Sequence, residues 1–186
     1  MKKHRHFILY KPYGYLSQFV NNQTKRKNKK LLGELYGFPK GTMAVGRLDQ
    51  PSEGLLLLTT DGKFSEFIRS RKVEKEYLVQ VDGIITEREI IQLQKGVVIT
   101  TDSGLYQTKT CKVKQIKKPD LPERSKKVRD ERHGPTSWIS IIITEGKFRQ
   151  VRKMTAKVGF PTLRLVRVRI GDYHLGNLKA GEVREI

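Results

Sequence analysis

Asp49 closes the run Gly46, Arg47, Leu48, Asp49, set between apolar Met43 to Val45 and the apolar stretch Leu55 to Leu58. A carboxylate at the rim of a core, kept ionised by a neighbouring guanidinium, can act as nucleophile or general base. The same residue in such a loop can equally be a turn former or an ion-pair partner. A second group is the run from Lys147 to Met154. Helical spacing puts Phe148, Val151, Met154 and Val158 on one buried stripe, with Gly159 at the C′ position and Pro161 as the stop. Arg152 then falls about 40° beyond Phe148. From that edge it can reach a partly buried carboxylate, or simply snorkel, while Arg149 and Lys153 point outward. The third group is Lys75, Glu76, Tyr77. A tyrosine there is either a plain strand former or an aromatic face on which an unstacked base can lie.

These groups need elements to hold them. FILY (7–10) reads as a strand ending in the turn residues Lys11, Pro12, Tyr13, Gly14. GLLLLT (54–59), closed by Asp61 and Gly62, reads as a buried strand, and Phe64, Phe67 and Ile68 after it suggest a short amphipathic helix. KEYLVQVD (75–82) alternates Tyr77, Val79 and Val81 on one face before an Asp82, Gly83 turn. Thr86 and Glu89 form a capping-box pattern ahead of Ile90, Ile91 and Leu93, and Gly96 ends that helix. Residues 105–116, 137–144 and 162–170 read as further strands, and a long polar loop with ten basic and four acidic residues between Lys109 and Arg132 joins the first two. The irregular order of strands and helices favours an α+β fold with a mixed, mostly antiparallel central sheet flanked by helices and loops.

The 186 residues carry 38 Lys plus Arg against 19 Asp plus Glu, a formal charge of +19. Such an excess in a chain with ample apolar residues points to a polyanionic partner, nucleic acid first, with a merely soluble basic surface as the alternative. Residues 21–30 hold five positive charges and no acid and read as an exposed, phosphate-contacting loop. No apolar stretch approaches the roughly 20 residues that span a bilayer, and the basic start MKKHRHFILY is too short in its apolar part for a signal peptide. One cysteine, Cys111, rules out a disulfide framework within the chain, and His4, His6, His133 and His174 lack metal-ligand spacing. The reading is a cytoplasmic protein without metal or cofactor and without a membrane partner, monomeric, in one domain spanning 1–186 or in two subdomains sharing one sheet.

Taken together, the motifs resemble the pseudouridine synthases of the RsuA type. GRLDQPSEGLLLLTTDG (46–62) is similar to that family's catalytic signature, and KPYGYLSQF (11–19), KEYLVQVDG (75–83) and EGKFRQVRKMTAKVGFPTLRLVRVRIGDYHL (145–175) match its other motifs in the same order. Thr60, Phe148 and Lys153 stand where the family usually has Asn, Asn and Arg. Many relatives carry an S4-type RNA-binding domain before the KPxG motif, which here begins at Lys11, so no such domain is expected. The PTSW and GFPTLRL segments are most similar to a branch acting on 23S ribosomal RNA.

The resemblance implies the pseudouridine synthase fold with a catalytic cleft across the sheet. It implies a reaction in which the uridine N1 to C1′ bond breaks, the base turns, C5 joins C1′ and the C5 proton leaves. Asp49 is implied as the catalytic carboxylate, paired by Arg152; Tyr77 packs on the target base and is a candidate for handling the C5 proton. Arg47 is implied to contact RNA and help hold the extruded base, with Lys75 a weaker candidate. Leu48, Lys147 and Arg149 complete the expected substrate-binding set. The partner implied is large-subunit ribosomal RNA or a pre-ribosomal particle; another RNA substrate, or a non-catalytic RNA-binding role, are the alternatives.

Overall fold

The computed structural model describes residues 3–20, 29–70 and 73–186. In chain order these form β1 (His6–Lys11), β2 (Met43–Ala44), β3 (Glu53–Thr59), α1 (Gly62–Arg69), β4 (Lys75–Asp82), α2 (Glu87–Lys95) and β5 (Val98–Thr101). Then come β6 (Gly104–Gln107), β7 (Lys112–Ile116), β8 (Thr136–Ile143), α3 (Gln150–Lys157), β9 (Thr162–Ile170), β10 (Tyr173–His174) and β11 (Val183–Glu185). Residues 21–28, most of the basic stretch expected to be an exposed loop, lie outside the described residues.

One sheet runs β11-β1-β3-β9-β4-β8-β7, with β10 beside β9 and β2 beside β3. All its pairings are antiparallel except β3 with β9, so the architecture is the expected α+β mixed sheet. The uninterrupted apolar run of β3 has a direct cause. Leu55 and Leu57 pack on one face with Ile8, Tyr10 and Ile68, while Leu56 and Leu58 pack on the other with Phe7, Leu9 and Leu32. A strand covered on both faces has no solvent side to make polar. At the β3–β9 contact a Cβ on Gly54 would lie 2.3 Å from the Arg167 carbonyl oxygen, and φ there is +100°. Only glycine lets the two halves of the sheet meet at that distance.

The second core lies across β4, β8 and β9, where Val79, Val81, Ile139, Ile141 and Leu165 are closed over by Ile90 and Leu93 of α2 and by Val151 and Met154 of α3. The capping box of α2 forms as read, Thr86 with Glu89, and Gly96 ends the helix at φ 90°.

Three local expectations are corrected. The single strand read over 105–116 is two strands: β6 pairs with β5 as a separate hairpin and β7 with β8 in the main sheet. The break falls where Thr108 turns back onto Val97, its backbone N–H donating to the Val97 carbonyl (3.0 Å) and its Oγ1 accepting from the Val97 N–H (2.9 Å). Phe67 is exposed on α1, since Phe64 and Ile68 already cover the core-facing side. Phe148 is also exposed and lies before α3: Arg149 takes a left-handed φ of 52°, which starts the helix at Gln150 and leaves Phe148 off its wheel.

The long loop between β7 and β8 is pinned at several points. Leu121 packs into the β1–β3 core, the Pro122 carbonyl accepts from Arg164 Nη2 (2.7 Å), and the Arg124 guanidinium lies 4.5 Å from the Tyr13 ring centroid. Arg129 pairs with Asp82.

Candidate active site

The loop from Gly46 to Ser52 enters β3 under tight backbone control. Gly46 adopts φ 71°, and the Val45 N–H donates to the Leu57 carbonyl (2.8 Å). Ser17 Oγ accepts from the Leu48 N–H and donates to the Leu48 carbonyl, both at 2.9 Å. Gln50 is tied in both directions to Gly14, its carbonyl accepting at 2.9 Å and its side-chain amide donating at 3.1 Å. Beneath the loop lies Lys11, a buried ammonium at the end of β1. It donates to the carbonyls of Tyr15 (2.7 Å), Pro12 (3.0 Å) and Gln50 (3.4 Å). Burial pushes Lys11 down to about 7, against the opposing pull of Glu53 and Asp49. The turn after β1 and the loop before β3 are thus one unit, and its product is a fixed position for Asp49.

The Asp49 side chain is 22% exposed and meets Arg152, 12% exposed, with Oδ2 3.7 Å from Nε. That is an ion pair and too long for a hydrogen bond. Arg152 is held from its other end by Ser52 Oγ (3.1 Å) and the Pro51 carbonyl (3.4 Å). Burial lowers its affinity for the proton and Asp49 raises it. Helix α3 carries this side chain to Asp49, with Val151 and Met154 fixing the helix in the core shared with β4, β8 and β9.

A cavity of about 360 Å³ opens over this loop. Its lining brings together Arg47, Leu48, Asp49, Lys75, Tyr77, Lys147 and Arg149, all seven drawn from motifs distant in sequence. Arg152 is not in that lining and supports Asp49 from behind. Arg149 was read as pointing outward; it is exposed but turns toward the cavity mouth, again because of its left-handed backbone. Lys75 Nζ donates to the carbonyls of Thr144 (3.3 Å) and Ser70 (3.4 Å), and burial, with Arg167 nearby, lowers its pKa.

Sequence reasoning missed Lys11, Arg69 and Arg167. Arg167 is buried on β9, donates from Nε to the Leu55 carbonyl (2.8 Å), and lies 6.0 Å from the Tyr77 ring centroid. Its Nη2 is buried without a hydrogen-bond partner among the described residues. Among the described residues, six basic side chains line the cavity, Arg47, Arg69, Lys75, Lys147, Arg149 and Arg167, against the single acid Asp49. Such a cavity suits an anionic, oxygen-rich ligand, with one carboxylate in its lining.

Residues 5–157 match the RNA pseudouridylate synthase family. The chain belongs to that family. A ribosomal large subunit pseudouridine synthase E of Vibrio parahaemolyticus is 43% identical over 181 residues, covering 96% of this chain and 72% of that protein. A synthase of the same name from Xanthomonas campestris is 42% identical over 180 residues, covering 95% and 92%. Among solved structures, a crystal structure of a pseudouridylate synthase superposes with a TM-score of 0.78 at 26% identity, over all of this chain and 71% of the other. The fold is that of the family, and the chain is an RNA-modifying isomerase.

Proposed function

We propose that this synthase converts a uridine of large-subunit ribosomal RNA into pseudouridine, with Asp49 as the reacting carboxylate. The observation that carries the reading is the cavity itself: one acid, ion-paired by Arg152, shares its lining with Tyr77 and six basic residues among the described ones. The names of the relatives from Vibrio and Xanthomonas support the RNA class.

Uridine and pseudouridine are isomers, so the reaction needs no oxidant and no energy donor. Its target atoms are hidden in stacked RNA, and extruding the nucleotide costs a few kcal/mol, offset by phosphate contacts at the rim. Arg47, Lys147 and Arg149 supply those contacts. Tyr77 packs on the extruded base. Attack at C1′, attack at C6 and removal of the 2′ proton all start from an ionised carboxylate, and Arg152 sets a positive charge 3.7 Å from Asp49. Arg167 lines the cavity, and a shift of its side chain would let the buried, unpartnered Nη2 donate to an oxygen of the base or ribose.

The test is carbodiimide mapping of pseudouridine in total RNA from a deletion strain complemented with wild type or Asp49→Asn. One large-subunit position should regain its signal with wild type and stay unmodified with Asp49→Asn, although purified Asp49→Asn still binds the RNA. Restoration by Asp49→Asn would remove the carboxylate from the chemistry. A signal restored in small-subunit or transfer RNA would move the substrate.

A further inference from the structure

Phe148 has no structural duty that explains its place. It sits between Lys147 and Arg149, both of which line the cavity, yet its ring is 65% exposed. One face of the ring is approached by Lys153 Nζ, 5.4 Å from the centroid. That ammonium is itself held by the Thr100 carbonyl (2.7 Å) on the β5–β6 hairpin. Across the hairpin from Thr100 is Leu105, 79% exposed. Lys147 lies 4.4 Å from the Tyr106 ring centroid, and Tyr106 donates to Glu145. Outside the cavity mouth there is therefore a surface of interleaved cations and apolar side chains, anchored from below. An exposed phenylalanine is costly to leave in water and is held here by the turn that Arg149 makes at φ 52°.

Extruding a nucleotide strips its neighbours of a stacking partner, and a flat ring at the mouth of the site can replace it. Rings do so without sequence readout, because every base has a π-face, and flanking cations hold the backbone. We propose that Phe148 is the stacking platform for a base next to the target uridine, with Lys147, Arg149 and Lys153 holding the adjoining phosphates. The role is to stabilise the extruded state, so Phe148 is a positioning residue outside the reacting group. It rests on the RNA-modifying reading above.

The experiment uses the full chain and large-subunit RNA labelled with [5-3H]uridine, extracted from a strain lacking the gene, with tritium release as the readout. Phe148→Ala and Phe148→Leu should each lower kcat/KM by roughly ten-fold, the scale of one base–aromatic stack, and Phe148→Trp should restore it. Thermal melting should be unchanged in all three, since the ring is exposed. The slope of binding against salt should be unchanged in Phe148→Ala and smaller in Arg149→Ala. A Leu variant as active as wild type, or an Ala variant with an altered salt slope, overturns the stacking role. So does full turnover by Phe148→Ala with loss of a concentration-dependent dimer in sedimentation, which makes the ring a protein contact. Wild-type protein that releases no tritium while Asp49→Asn binds equally well would overturn the synthase reading instead, and this inference with it.

Discussion

Replacing Arg152 by Met keeps an unbranched side chain on α3 and removes the guanidinium facing Asp49. At the observed 3.7 Å, two unit charges attract by about 4 to 5 kcal/mol at an effective dielectric of about 20. Water reaches the 22% exposed carboxylate and recovers part of this, leaving about 2 to 3 kcal/mol unrecovered. At 1.36 kcal/mol per decade that is roughly a 30- to 150-fold loss in the chemical step. The assay is single-turnover tritium release at saturating enzyme, paired with filter binding. RNA affinity should change by less than about threefold, since Arg152 stands behind the cavity wall and phosphate contacts dominate binding. Arg152→Lys returns the charge, but one ammonium cannot span Asp49, Ser52 and the Pro51 carbonyl, so its rate should fall between the two. A Met variant within about threefold of wild type would show that the chemical step does not depend on the Arg152 charge. A Lys variant as slow as Met would show that geometry, and not charge, is what Arg152 supplies.

Two further outcomes follow from the same frame. Lys11, pushed down to about 7 by burial, keeps fewer protons folded than unfolded between its folded pKa and the ordinary 10.5. Its contribution to stability therefore rises with pH across that window and falls away as pH drops through 7, by up to about 5 kcal/mol in all. Selective 13C-lysine NMR should show one side chain titrating near neutrality, and the absence of any lysine titrating below about pH 9 would refute it. Gly54→Ala puts a Cβ 2.3 Å from the Arg167 carbonyl oxygen, which must part β3 from β9 at a cost of about 3 kcal/mol or more. Scanning calorimetry should register a fall in Tm of about 6 to 12 °C, and a fall under about 3 °C would count against that close approach.

What could be read in advance followed from how local the determining contacts are. The strands β1, β3, β4, β8 and β9 and the helix α2 announce themselves through apolar runs, alternation or a capping box, all of which act over a few residues. The β5–β6 hairpin does not. Its strands are four residues each and its outer positions, Val98 and Leu105, are exposed, so no periodicity marks it. Phe148 shows the converse failure. Its spacing to Val151 and Met154 is helical, but one residue in the left-handed region lies between them and the helix begins too late to include it. Nothing in a helical wheel registers a single φ of 52°.

The site divides along the same line. The residues alone leave Asp49 open as a turn former and Arg152 as a snorkelling side chain, and it is the motif resemblance that implies their pairing; the structure has the two side chains 3.7 Å apart. In TLRLVRVRI, Arg164 and Arg167 are three residues apart and so point to opposite faces of the strand, and nothing in the pattern marks either as buried. They are buried because of contacts more than a hundred residues away in sequence, Arg164 by the Glu53 carboxylate (2.8 and 3.0 Å) and Arg167 by the Leu55 carbonyl. A strand with buried arginines is tolerable only where each guanidinium is paired. Arg164 is saturated by Glu53 and Pro122. Arg167 is not: the residue lines the cavity, but it spends Nε on the β3 backbone and keeps a buried Nη2 with no hydrogen-bond partner among the described residues. A donor left in that state raises the energy of the empty site, a cost recovered when a shift of the side chain lets a substrate oxygen accept from it. The buried charge on β9, which the strand pattern did not reveal, is thus a feature that favours occupation of the cavity.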